Sequence, residues 1–183
     1  MNQPEHILRI LDCHLRQPTR LILYGRAALA LGLPQPLPDF FATLDVDAIL
    51  PEVEMRAIEE DDGFWEAIER TNHELDSSGL YITHLFSDSQ VILRHDWLNS
   101  IVPVLLPNLR FLSLFRPSAE DLILTKMMRV DPQDRQDIQY LLKCSSISLS
   151  DMEICLSAAK VPPIPEIEAA FLANSDWIRT QFI

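Results

Sequence analysis

Leu21-Ile22-Leu23-Tyr24-Gly25-Arg26-Ala27-Ala28 and, further on, Leu44-Asp45-Val46-Asp47-Ala48-Ile49 carry more structural information than any other part of the chain. The first stretch reads as a short buried strand, Leu21 to Tyr24, stopped at Gly25 and followed by a helix over Arg26–Leu31. A glycine at a strand end lets backbone approach a ligand closely, and the helix after it offers free N–H groups and a positive dipole end. The second stretch belongs to a β-rich strand over Thr43–Leu50. On a strand, residues i and i+2 face the same side, so Asp45 and Asp47 point together while Val46 enters the core. Two carboxylates roughly 7 Å apart along one strand face repel each other unless a cation or basic group sits between them. Such an oxygen-rich pair suits Mg²⁺, which takes one or two protein carboxylates and completes its shell with water and phosphate. Alternating acids on a solvated strand face would give the same tripeptide.

Working outward, apolar residues at Ile7, Leu8, Ile10, Leu11 and Leu15 have helical spacing, and Pro18 ends that helix. Pro34, Pro36 and Pro38 impose an extended loop before the acidic strand. Pro51 opens a helical stretch broken near Gly63 and resumed to Leu75. Ser77-Ser78-Gly79 marks a turn, Leu80–Phe86 a strand, Val91–Leu93 a further strand and Leu109–Phe115 a stronger one. Ser118 is a good N-cap for a helix to about Arg129, with Glu120 and Asp121 in its first turn. Helices follow over 132–143 and after a cap at Ser150, and Pro162-Pro163 with Pro165 separates the latter from a last helix ending near Trp177. The order is an α/β half, residues 1–116, followed by a helical C-terminal subdomain, residues 117–183. No flexible linker separates them, so the two are expected to form one structural domain.

The strand–Gly–helix unit followed by a strand with Asp-x-Asp resembles the nucleotidyltransferase superfamily. A third segment adds to the likeness. Arg116-Pro117-Ser118-Ala119-Glu120-Asp121-Leu122, then Lys126, Arg129, Asp134 and Asp137, is similar to the later helices of minimal nucleotidyltransferases related to abortive-infection type E toxins. The resemblance covers about residues 20–143. It implies an α/β (α+β) nucleotidyltransferase fold of the polymerase-beta-like kind, a small mixed sheet with flanking helices. It implies Asp45 and Asp47 as catalytic metal ligands, Mg²⁺ (or Mn²⁺) as cofactor and an NTP as substrate. Gly25, Arg26 and Lys126 become the nucleotide contacts, with Asp134, Arg135 and Asp137 read instead as a salt-bridge cluster organising the helix pair. The implied partners are the nucleotide, a hydroxyl acceptor on protein or RNA, and a cognate antitoxin in a toxin–antitoxin or defence setting.

The chain departs from the family pattern twice. Gly25 is followed by Arg26 where the family has a second Gly or a Ser. A third carboxylate is expected on a later strand, yet Leu80–Phe86 holds Thr83 and His84 at its centre and Asp88 only beyond its end. A catalytically degenerate binding protein is therefore the alternative. A metal-dependent phosphohydrolase ranks last, since it needs more acids or histidines than can be placed.

Composition sets outer limits. The 183 residues are 48% hydrophobic, enough for a packed core. The net charge of −12 argues against non-specific nucleic-acid binding, which depends on Lys and Arg. Most of the acids between Glu52 and Asp62 read as a solvated helix face and loop. Cys13, Cys144 and Cys155 form no CxxC and are expected as buried, reduced thiols. Neither a signal peptide nor a membrane-length apolar run is evident, so a soluble cytoplasmic protein is expected.

Overall fold

The computed structural model describes residues 2–182, apart from the side chain of His84. Its elements run α1 (Gln3–His14), β1 (Thr19–Tyr24), α2 (Gly25–Gly32), β2 (Asp45–Leu50), α3 (Glu52–Glu59), α4 (Asp62–Leu75) and β3 (Tyr81–Ser87). They continue with β4 (Leu93–Arg94), β5 (Val102–Val104), β6 (Leu112–Arg116), α5 (Ala119–Thr125), α6 (Pro132–Cys144), α7 (Leu149–Ser157), β7 (Ala159–Lys160) and α8 (Pro165–Thr180). The chain divides into two compact units. One comprises the residues up to Ser87 together with Val102–Arg116, and the other Asp88–Ile101 with the residues from Pro117 on. The α/β unit thus lacks residues 88–101, which the sequence placed within it.

The α/β unit is built on a mixed five-stranded sheet in the order β3-β2-β1-β6-β5. β1 runs antiparallel to β2 and parallel to β6, β2 is parallel to β3, and β5 is antiparallel to β6. Central β1 buries Leu21, Ile22 and Leu23 in succession, the signature of a strand covered on both faces. β2 buries Val46, Ala48 and Ile49 and leaves Asp45 and Asp47 half-buried. From α1, Ile7, Leu8 and Leu11 are fully buried, all from the apolar stripe of the sequence. At the outer edge of β3, the Asn72 side chain donates to the Ile82 carbonyl (3.0 Å) and accepts from its N–H (2.7 Å). That amide satisfies backbone groups which a further strand would otherwise template.

Asp12 of α1 is a buried carboxylate with a defined task. Its oxygens accept the backbone N–H groups of Arg110 (2.7 Å), Phe111 (2.8 Å) and Leu112 (2.8 Å), fixing the helix to the entry of β6. Burial pushes its pKa up, but the three N–H bonds and the Arg110 charge outweigh that, so the net shift is downward. A depressed folded-state pKa contributes stability that is present above the unfolded value and lost as pH falls through the folded one. Asp12→Ala should cost about 3 kcal/mol at pH 7, from charge-assisted bonds lost and donors stranded. In urea titrations the gap between wild type and variant should narrow below pH 4. An equal gap at pH 7 and pH 2 would contradict this account.

Two helix starts differ from the sequence reading, both because side-chain caps prevailed. The break expected near Gly63 falls at Glu60–Asp61, where Asp61 accepts the Phe64 N–H at 3.0 Å, and Gly63 lies inside α4. α7 is capped by Ser148 rather than Ser150, in a reciprocal capping box with Asp151. α3 buries no residue, in keeping with a solvated acidic face.

In the helical unit, Arg94 ties residues 88–101 to α5. Its backbone N–H and guanidinium both donate to Asp121, and the guanidinium also reaches the Ser118 and Ser100 hydroxyls. β4 pairs with β7 in a small second sheet. The expected strand at Val91–Leu93 is thus only Leu93–Arg94, and its partner lies far along the chain. Of the cysteines, only Cys155 is buried, and Cys13 and Cys144 are exposed. Burial, with the Asp121 charge, pushes the Cys155 thiol up to about 12, so it stays protonated at neutral pH. Among the described residues no helix is long and apolar enough to cross a membrane.

Candidate functional site

Strand pairing brings the two quoted stretches together. The antiparallel register of β1 and β2 sets Tyr24 opposite Asp47, so the chain leaves β1 into Gly25 directly beside that acid. Gly25 has φ +62°, a left-handed conformation that costs an L-residue roughly 1–2 kcal/mol. A Cβ placed there would stand 3.4 Å from Asp47 Oδ2. The glycine therefore makes the turn and brings bare backbone against the carboxylate. α2 begins at once, without a side-chain cap on its first turn.

The two acids are held differently. Asp45 Oδ1 accepts the Thr43 hydroxyl at 2.8 Å, and Asp45 Oδ2 accepts the Thr83 hydroxyl at 3.4 Å. Asp47 Oδ1 is buried, and removing a carboxylate oxygen from water costs free energy that hydrogen bonds or a cation must offset. The β2–β3 register shifts between Val46 and Ala48. Val46 pairs with Ile82 but Ala48 with Leu85, so the backbone of Thr83 and His84 together opposes Asp47. Such an irregularity re-aims side chains locally.

The other sequence-derived residues separate into those of this unit and those outside it. Arg26 is half-buried, its guanidinium carbon 5.6 Å from the centre of the Phe40 ring. The side chain of His84 lies outside the described residues. Asp88 belongs to the helical unit, where its Oδ2 accepts the Trp97 indole N–H at 3.2 Å. Lys126 also lies in that unit and is buried. Its Nζ donates to Asp137 Oδ2 (2.6 Å) and Asp134 Oδ1 (3.1 Å), and Arg129 donates to Asp134 Oδ2 (2.5 Å). Arg135 bonds Asn174 and lies over the Trp177 ring. Among the described residues no group of three or more His, Cys, Asp or Glu is placed to hold a metal ion.

Sequence reading missed Thr43 and Thr83 as partners of Asp45. Thr43 could have been found, since it stands two residues before Asp45 on the same face of an extended chain. The Thr83 contact depends on β3 lying next to β2, which no local pattern announces.

A mixed sheet whose central strand ends in a glycine turn, beside an antiparallel strand bearing two carboxylates on one face, defines a nucleotidyltransferase-like fold. The sequence profile of the family described as "Nucleotidyltransferase of unknown function (DUF6036)" matches residues 5–166, and the chain belongs to that family. No curated protein and no solved structure matches the chain.

Proposed function

We propose that this protein transfers a nucleotidyl group from a nucleoside triphosphate to a hydroxyl, at a divalent-cation site held by Asp45 and Asp47. The observation that carries the reading is the approach of the left-handed Gly25 turn to Asp47, with a would-be Cβ only 3.4 Å from Oδ2. The donor set suits Mg²⁺ or Mn²⁺, since two carboxylates leave coordination positions for phosphate oxygens and water. When bound, the cation would neutralise charge on the triphosphate and position the attacking oxygen. The chain's own part is to hold the triphosphate along the Gly25 turn and the first N–H groups of α2, with Arg26 adding positive charge. In the reaction, an acceptor hydroxyl gives up its proton to solvent as its oxygen bonds to the α-phosphorus, the bond from that phosphorus to the bridging oxygen breaks, and pyrophosphate leaves. The acceptor, a hydroxyl on protein or RNA, and a cognate antitoxin belong to this proposal through the family resemblance alone.

Thermal melts with Mg²⁺ and each of the four common NTPs test nucleotide binding. At a hundred-fold excess over Kd, linkage gives about 2.7 kcal/mol, or roughly 5–10 °C for a chain of this size. No shift at millimolar nucleotide would refute the proposal. A second reading, a binding protein without catalysis, is favoured by the absence of a three-ligand cluster among the described residues. Retained melting shifts with no label passing from an α-phosphate-labelled NTP to RNA or protein would select it.

A further inference from the structure

We infer that Thr43 and Thr83 are positioning residues for the cation site, fixing the Asp45 carboxylate through both of its oxygens. The inference rests on the metal reading proposed above and specifies how the site manages with two acids. Each Asp45 oxygen accepts one threonine hydroxyl, at 2.8 Å from Thr43 and 3.4 Å from Thr83. The two donors reach it from opposite directions in the chain. Thr43 stands just before β2 and directly follows the short helical turn Pro38–Ala42, which is anchored by the buried Phe40. Thr83 sits on β3 where the register with β2 shifts.

A carboxylate oxygen has two lone-pair directions. One hydroxyl on each oxygen fixes the rotation of the group and leaves the other lone pair of each free to face a cation. A neutral donor does this without adding charge. An acid at position 83 would fix nothing and would add a third negative charge to the pair. The site is therefore low in charge, and Asp45 and Asp47 alone bind a divalent ion weakly. Phosphate oxygens supply the missing negative ligands, so the ion and the triphosphate bind together. Partners that orient a metal ligand are typically worth about ten- to a hundred-fold in affinity. The shorter Thr43 bond should carry more of that than the longer Thr83 bond.

The probe is Mn²⁺, followed by the electron paramagnetic resonance of the free ion, titrated alone and with each of ATP, GTP, CTP and UTP. With the triphosphate that wild type binds best, Thr43→Val should weaken Mn²⁺ uptake about ten-fold and Thr83→Val by a few-fold. Thr43→Ser and Thr83→Ser, which keep the hydroxyl, should restore it. Valine has nearly the shape of threonine, and melting curves without metal should confirm that the variants remain folded. If Asp45→Asn and Asp47→Asn lose uptake while Thr43→Val and Thr83→Val match wild type, the positioning role is overturned and the metal site stands. If wild type and the two Asn variants take up Mn²⁺ equally, the site and the inference fall together.

Discussion

Asp47→Asn is expected to lower nucleotidyl transfer by about three orders of magnitude without unfolding the protein. A metal ligand contributes several kcal/mol of charge stabilisation at the reacting phosphate, and each 1.36 kcal/mol is ten-fold in rate, so about 4 kcal/mol gives roughly 10³-fold. The amide preserves the shape of the carboxylate and removes its charge. That matters because Asp47 is half-buried in β2 between Val46 and Ala48, where truncation would disturb packing. The apo variant should melt at the same temperature as wild type or slightly higher, because one of two neighbouring like charges has gone. Nucleotide with Mg²⁺ should then no longer raise it. Asp45→Asn should behave alike, and the double variant should be scarcely worse than either single one, since in the proposed site the two acids would serve one ion as a unit. The measurement is label transfer from an α-phosphate-labelled NTP, alongside melts with and without Mg²⁺. Wild-type transfer by Asp47→Asn would exclude the acid pair as the catalytic centre.

Much of this site could be read from local pattern, because the features involved are local. An apolar run closed by Gly25, and acids at i and i+2 on a strand, are fixed by backbone geometry within a few residues. Other features depend on pairings that span the chain. Arg94 reads as part of the α/β half from its place in the chain, and only its bond to distant Asp121 places it with α5. Pro103 argues against a strand by its missing N–H, yet β5 forms at a sheet edge where that donor is not needed. The shift between β2 and β3 has no counterpart in the sequence, although it sets which residues oppose Asp47. Helix caps were legible in kind but misplaced by two residues at Ser148, since Ser148 and Ser150 are chemically equivalent and only the partner, Asp151, chooses between them.

Lys126→Met should destabilise the helical unit by about 3–5 kcal/mol, the cost of leaving a buried charge without its partner. Lys126 is 8% exposed, and its ammonium is shared by Asp137 and Asp134 from α6, whose side chains are 2% and 9% exposed. Removing the amine leaves Asp134 to Arg129, which is itself largely in solvent, and takes from Asp137 its buried cation. Asp137→Asn added to Lys126→Met should recover part of the loss, because the remaining amide is uncharged. The pair should therefore show strong coupling in a double-mutant cycle. Urea denaturation, followed through the fluorescence of Trp97 and Trp177, gives the stability difference. The same variant decides between two uses of Lys126. If it is an internal cation that holds α6, Lys126→Met loses stability and keeps its melting response to Mg²⁺ and NTP. If it grips phosphate, stability changes little and the nucleotide response falls. The enclosure of Lys126 between two carboxylates favours the first outcome, since a lysine already neutralised by two acids has little positive charge left for a triphosphate.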